Sequence, residues 1–288
     1  MTNMLLTARG IEVAYGAGGL FSKSAGHKVL HGIDIDIARG ETIGIVGESG
    51  SGKTTLGRAL LRLVDISAGE IRFDGQDITS LPDNRMRPLR RRMQMIFQDP
   101  MASLNPRHSI RRILVEPMLL HGLAANAAEA EAKVLKILDR FTLPEVVLDR
   151  NAHELSGGQR QRVGIARAAL LEPDFVLADE IVSGLDVSTQ AQVLNLMKDL
   201  SRDMGLSMAF ISHDLSVIRA ICDRVYVLRF GKVVEAGACE QVFADPKSAY
   251  TRALLDAIPL PEIDPEWLER EALPDPPLTI SARAAFRD

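Results

Sequence analysis

Short runs that are apolar on both faces alternate with stretches of helical spacing along most of this chain. Thr42-Ile43-Gly44-Ile45-Val46, Phe175-Val176-Leu177-Ala178 and Met208-Ala209-Phe210-Ile211-Ser212 carry no charged face, which predicts buried strands of a parallel sheet. Thr55 to Leu63 and Gln159 to Leu170 place apolar residues at helical intervals and predict helices. Ile11 to Val13, Val29 to Ile37 and Glu70 to Phe73 read as strands flanking the run at 42–46, an antiparallel edge to the sheet. From about Asn105 to Leu170 the period turns helical, including Ala124 to Phe141, and predicts an inserted helical lobe. Residues 171–235 return to strand and helix in alternation, and Arg229 to Val234 reads as a last hairpin. No internal repeat is evident, and the fold class is α/β.

The junction between the first buried run and its helix carries chemistry. Gly47-Glu48-Ser49-Gly50-Ser51-Gly52-Lys53-Thr54 has the glycine spacing that lets backbone N–H groups close around phosphate at a helix N-terminus. A side chain at Gly52 would obstruct that approach. Lys53 reaches β- and γ-phosphates as a point charge, and the Thr54 hydroxyl is placed to ligate Mg²⁺. Thr55 shares the loop as a packing or capping residue. A Gly/Ser-rich turn without a ligand is the alternative, and the strand and helix on either side argue against it. Gly16-Ala17-Gly18-Gly19 lacks a Lys-Thr ending and reads as a flexible insertion.

The second buried run ends in Asp179-Glu180, two carboxylates at the C-terminal tip of a parallel strand, where such sheets bind ligands. Asp179 is placed to hold Mg²⁺ and Glu180 to orient, or take a proton from, the water attacking a γ-phosphate. Adjacent acids alone are more often a solvated strand end; the four apolar residues before them reverse that expectation. Leu155-Ser156-Gly157-Gly158-Gln159 opens the helix ending near Leu170. Ser156 offers a hydroxyl, Gly157 and Gly158 allow close backbone approach, and the helix start offers N–H groups to phosphate; read alone, the same residues are an ordinary helix entry. The arginines of that helix read mostly as a solvated face.

Taken in this order, the phosphate loop, the 155–159 pentapeptide and Phe175 to Glu180 resemble the ATP-binding subunits of ABC transporters over roughly residues 4–258. The resemblance implies a P-loop NTPase core with an antiparallel β edge subdomain and an inserted helical subdomain at about 105–170. It sets an ATP-binding domain at 1–258 and a Pro/acid-rich extension at 259–288, with Trp267 as an anchor or an exposed tail residue. It implies that Gln98 senses Mg²⁺ and the attacking water while joining the core to the helical lobe, and that His213 contacts γ-phosphate. It also implies that Ser183-Gly184-Leu185-Asp186 links two active sites with Asp186 as its polar contact, and that Tyr15 stacks on adenine. Ser156 to Gln159 of one chain then face the phosphate loop of another. Read singly, Gln98 is a loop residue, His213 and Tyr15 are structural, and Asp186 is a helix N-cap. Two positions depart from the family's usual pattern: Ile181 stands where proline is expected after Asp-Glu, and Gly184 where alanine is expected before Leu-Asp.

Composition narrows the partners. With 288 residues, 46% of them hydrophobic, the chain buries a sizeable core, and a net charge of −4 does not suggest a nucleic-acid binder. Arg85, Arg87, Arg90, Arg91 and Arg92 read as a solvated face or partner contact. Cys222 and Cys239 are too few for a disulfide framework or a four-cysteine metal or iron–sulfur site. No apolar run is long enough to cross a bilayer, and Met1 to Gly10 lacks the apolar segment of a secretory signal. Asp99 to Pro106, Asp245-Pro246 and Ala249 to Leu255 resemble the branch that imports dipeptides, oligopeptides or nickel-type cargo. The expectation is an ATP-hydrolysing subunit of a peptide importer, with ATP and Mg²⁺, peripheral on the cytoplasmic face of the inner membrane. Its expected partners are a second ATP-binding subunit, same or related, two transmembrane permeases and, indirectly, an extracytoplasmic solute-binding protein. The alternatives are a nickel-type importer ATPase, a non-transport ATPase of the family that clamps nucleic acid, and a weakly hydrolysing nucleotide-dependent interaction subunit.

Overall fold

The structure is a computed structural model that describes residues 3–16 and 27–256. The glycine-rich insertion from Ala17 onward, the 259–288 extension and Trp267 lie outside the described residues. Two sheets organise the rest. Four strands, β1 (Met4–Tyr15), β2 (His27–Ala38), β4 (Ala68–Phe73) and β5 (Gln76–Asp77), pair antiparallel in the order β2-β1-β4-β5. Six more, β3 (Thr42–Val46), β6 (Met93–Ile96), β7 (Phe175–Asp179), β8 (Ser207–Ile211), β9 (Arg224–Arg229) and β10 (Lys232–Ala238), form the order β10-β9-β3-β8-β7-β6. All pairs of this second sheet are parallel except the closing hairpin β9–β10.

This arrangement corrects the expectation that the 11–13, 29–37 and 70–73 strands flank the 42–46 strand. The strands hydrogen-bonded to β3 are β8 and β9, while β1, β2 and β4 make a sheet of their own. The reason lies in burial. All five residues of β3, β7 and β8 are buried, so these strands are covered on both faces, whereas β1 and β2 expose several positions and keep a wet side.

The helices are α1 (Lys53–Leu60), α2 (Asp83–Arg92), α3 (Ile110–Leu120), α4 (Ala127–Arg140) and α5 (Gly157–Ala169). They continue with α6 (Val187–Met204), α7 (Leu215–Ile221), α8 (Cys239–Ala244) and α9 (Ala249–Asp256). Alternation along the strands divides the interior. Leu177, Ala209 and Ile211 join α1 and the antiparallel sheet in one cluster, while Val176, Ala178, Met208 and Phe210 join α3 to α6 in the other. The helix after the phosphate loop is therefore packed between the two sheets. Side-chain caps start the helices of the second cluster: Ser109 for α3, Asn126 for α4, Ser156 for α5 and Asp186 for α6 each accept a backbone N–H one turn on.

The arginines also depart from expectation. On α5, Arg162 donates to the Gly158, Phe141 and Thr142 carbonyls, and Arg167 to the Ser103 carbonyl, with burial pushing its guanidinium below the usual value. On α2, Arg90 donates to the Leu61 and Arg62 carbonyls at the C-terminal end of α1, and Arg92 pairs with Asp174 and Asp74. These side chains are tied to carbonyls and carboxylates of the same chain instead of standing free in solvent; on α2, Arg85 and Arg87 remain exposed.

Candidate active site

The phosphate loop leaves β3 with an unusual backbone. Gly47, Gly50 and Gly52 have φ of 147°, 78° and 103°, and a Cβ at Gly47 would lie 2.2 Å from the Leu228 carbonyl oxygen. At Gly52 a Cβ would meet a Leu30 methyl at 2.8 Å, so packing against β2 demands glycine there as well as any ligand. The first α1 hydrogen bond runs from Leu56 N–H to the Gly52 carbonyl at 2.8 Å, and Gly52 brings no side-chain cap. The N–H groups of Lys53, Thr54 and Thr55 precede that bond and point from a helix N-terminus, an arrangement suited to an anion. The Ser51 hydroxyl is buried without a partner beside them. Lys53 is buried, with its Nζ donating to the Gly47 and Glu48 carbonyls at 2.8 and 2.9 Å. Burial pushes its ammonium below the usual value, against the opposing pull of Glu180 and Asp179.

Opposite the loop stands the tip of β7. Asp179 is 5% exposed and accepts from the Thr54 hydroxyl at 3.1 Å. Burial pushes its carboxyl above the ordinary range; the Thr54 hydroxyl opposes this, and the Glu180 charge adds to it. Glu180 has φ of 49°, a left-handed conformation rare for a residue with a side chain, and its N–H continues the β7–β8 ladder to the Ile211 carbonyl at 3.0 Å. Its Oε2 accepts from Gln98 Nε2 at 3.1 Å and lies 3.7 Å from His213 Nδ1. The structure thus brings Lys53 and Thr54 at the start of α1, Asp179 and Glu180 at the tip of β7, and Gln98 and His213 just beyond β6 and β8 together. Such a set can hold a phosphate chain, present two hard oxygen ligands and aim a carboxylate at a water.

These residues suit Mg²⁺. Asp179 is a buried carboxylate with one hydroxyl donor, and that hydroxyl is itself a hard oxygen; a cation between them would remove the cost of the buried charge. Among the described residues no cluster of three or more His, Cys, Asp or Glu could hold a metal ion by itself.

The pentapeptide lies apart. No hydrogen bond among the described residues joins Ser156 to Gln159 with the phosphate loop. Ser156 and Gln159 form a reciprocal cap, in which Gln159 N–H donates to Ser156 Oγ at 3.3 Å and Ser156 N–H donates to Gln159 Oε1 at 3.0 Å. The hydroxyl proton of Ser156 stays free, the residue is exposed, and Gly157 has open space where a Cβ would be. A Cβ at Gly158 would touch Thr189 at 3.0 Å, so the first turn of α6 lies alongside. There Asp186 caps α6, held far below the usual carboxylate range by the Ser188 hydroxyl and by the N–H and hydroxyl of Thr189. Gly184 has φ of 75°, so glycine suits this turn where alanine would be strained; Ile181 is 1% exposed and fills the core beneath it. Tyr15 ends β1 and is 45% exposed.

Sequence reasoning did not single out three residues that shape this site. Gly57 of α1 faces Leu177 and Ile211, Gly231 donates to the Ser51 carbonyl at 3.0 Å, and the Tyr250 hydroxyl accepts the Glu48 N–H at 3.0 Å.

The family described as ABC transporter matches residues 30–183. A putative peptide import ATP-binding protein of Brucella ovis is 53% identical over 260 residues, covering 90% of this chain and 80% of that protein. The dipeptide transport ATP-binding protein DppF of Lactococcus lactis is 49% identical, over 83% of this chain and 78% of its own length. Among solved structures, the dimeric structure of a post-hydrolysis state of the ATP-binding cassette MJ0796 bound to ADP and Pi superposes with a TM-score of 0.73 at 27% identity, covering 81% of this chain and 98% of that one. The cbiO1 protein of Clostridium perfringens, part of an ABC transporter complex, superposes with a TM-score of 0.73 at 28% identity, covering 84% and 92%.

Proposed function

Since this chain belongs to the ABC transporter family and is an ATPase of that family, we propose that it energises import of dipeptides or oligopeptides by hydrolysing ATP between its phosphate loop and a partner's pentapeptide. The observation that carries this reading is the convergence on one strand tip of Thr54 with Asp179 at 3.1 Å and of Gln98 with Glu180 at 3.1 Å.

The N–H groups of 53–55 and the Lys53 ammonium hold the phosphate chain, and Lys53 exchanges its loop carbonyls for β- and γ-phosphate oxygens. Thr54 and Asp179, with Gln98 beside them, would hold Mg²⁺, which supplies charge neutralisation on the phosphates. Glu180 accepts a hydrogen bond from the water that attacks phosphorus as the bond to the leaving ADP oxygen breaks, yielding ADP and phosphate. Gln98 fixes the Glu180 carboxylate, and His213 contacts the γ-phosphate from the end of β8. Tyr15 stacks on adenine. Ser156, with the N–H groups of Gly157 and Gly158 and with Gln159 keeping the cap, donates to the γ-phosphate held by a second ATP-binding subunit, same or related. Asp186 lies at the edge of that contact. ATP then draws two subunits together and hydrolysis releases them, the motion passing through Gln98 and the 105–170 lobe to two permeases.

Residues 1–258 form the working unit in this reading. Among the described residues no helix is long and apolar enough to cross a membrane. In the proposed assembly the pore belongs to the permeases, and this chain sits peripherally on the cytoplasmic face of the inner membrane. A solute-binding protein outside the membrane would choose the cargo. Isolating the tagged chain from mild detergent tests the assembly: two permeases recovered with it support the reading, and their absence under conditions that preserve other transporters sinks it.

A further inference from the structure

Tyr250 lies about two hundred residues from the phosphate loop, yet its hydroxyl accepts the Glu48 N–H at 3.0 Å. We propose that Tyr250 is a positioning residue for nucleotide binding, clasping the loop in its phosphate-receiving shape and coupling α9 to occupancy of the site. The inference rests on the nucleotide reading of that site.

Both backbone polar groups of Glu48 are bonded. Its carbonyl accepts from Ser51 N–H at 3.1 Å and from Lys53 Nζ at 2.9 Å, and its N–H goes to Tyr250. When Lys53 turns to phosphate it leaves the carbonyl, and the bonds to Ser51 and Tyr250 are what remain to hold the backbone on either side of Glu48. The N–H that Tyr250 takes up is that of Glu48, distinct from the N–H groups of Lys53, Thr54 and Thr55 at the start of α1, so the clasp leaves those three groups available to the ligand.

Tyr250 is itself firmly placed. It is 8% exposed, and the Arg229 guanidinium lies 4.7 Å from its ring centroid and 5.2 Å from that of Phe230. The same β9–β10 turn donates Gly231 N–H to the Ser51 carbonyl, so turn and helix grip one loop from adjacent sides. At its N-terminal end α9 is fixed by Glu235 of β10, whose carboxylate accepts the N–H groups of Lys247 and Ser248 at 2.8 and 3.0 Å. Leu254 and Leu255 pack against the core.

Tyr250→Phe keeps the ring, the Arg229 stacking and the packing, and removes only the acceptor. In the full chain, titration with a fluorescent ATP analogue and Mg²⁺ should give a Kd raised about fivefold, the ratio set by one ordinary hydrogen bond. The ATP KM should rise by the same factor while kcat stays within about twofold, since the transition-state contacts are intact. Thr251→Val, on the same helix but without a hydrogen bond to the loop, should change melting temperature without changing Kd. By linkage, nucleotide should slow hydrogen exchange in α9 of the wild type and less so in Tyr250→Phe. Wild-type Kd and unchanged α9 protection in Tyr250→Phe would overturn the clasp and leave nucleotide binding standing. A wild-type chain that binds no ATP analogue would overturn both.

Discussion

Gly57 offers a test of whether packing beneath α1 sets the chemistry above it. An ideal Cβ at Gly57 would lie 2.8 Å from both terminal methyls of Leu177 and 3.0 Å from Ile211 Cδ1. Carbon atoms prefer about 3.5–4.0 Å, so Gly57→Ala requires α1 or these side chains to give by about 0.7 Å. Leu177 and Ile211 are fully buried in strands with neighbours on both faces, which leaves them little room to turn away. Overpacking of this kind costs about 1–3 kcal/mol, and alanine's better helix propensity offsets about 1 kcal/mol of it. The net is a loss of at most about 2 kcal/mol, a fall of a few degrees in melting temperature. Activity should respond more. Leu177 stands two residues before Asp179, and the Thr54 hydroxyl is one turn before Gly57, so an outward shift of about 0.7 Å takes their 3.1 Å bond beyond hydrogen-bond range. Misplacement by about 1 Å can cost about a hundredfold in rate, and we expect ATP turnover to fall about ten- to a hundredfold. Phosphate release at saturating ATP, with a thermal melt of the same samples, reads both effects. Leu177→Val in the same chain makes room and should restore part of the rate. Gly57→Ala with a raised melting temperature and wild-type turnover would show that propensity alone matters and refute the packing argument.

Other consequences can be checked as directly. Asp179 carries a raised pKa in the ligand-free chain, chiefly from burial. An acid of that kind lowers stability once pH exceeds its folded value and does not once pH falls below about 3.9, its ordinary value. Asp179→Asn should therefore melt higher than wild type near pH 7.5 without ligand, by about 1 kcal/mol or about 2–4 °C, with the advantage fading as pH falls toward 4. The same variant should lose the Mg²⁺-dependent part of stabilisation by ATP, and an intact Mg²⁺ effect would remove Asp179 from the metal site. Burial pushes the Cys239 thiol up to about 11 and that of Cys222 well above its usual value. Neither should react with iodoacetamide at pH 7.5 until the chain is unfolded, and fast labelling of the native protein would contradict their placement.

Most of the site was legible because its parts are local. The glycines at 47, 50 and 52 and the Lys-Thr pair sit between a buried run and a helix, and the Asp-Glu pair follows four apolar residues. Both patterns follow from short-range sterics and burial. What escaped the pattern depends on distant contacts. Alternation marks β1, β2 and β4 as strands but does not say which edge they join, and they form a sheet of their own. Arg162 and Arg167 look solvent-facing by spacing, and only the approach of the 103 and 141–142 carbonyls turns them inward. Tyr250 bears a sequence pattern suggestive of a branch of the family, and nothing local links it to a loop two hundred residues earlier. At Asp186 the local reading is the one the fold displays, since the carboxylate caps α6 within the chain.

The central claim is that Glu180, held by Gln98 at 3.1 Å and near His213 at 3.7 Å, serves hydrolysis rather than nucleotide binding. Glu180→Gln keeps the shape of the side chain and removes its charge. General-base assistance contributes about 10²–10⁴-fold, so phosphate release should fall by at least about a hundredfold. Equilibrium binding of Mg²⁺ and ATP should persist, measured on the same preparation. Wild-type turnover by Glu180→Gln, with binding intact, would contradict the account.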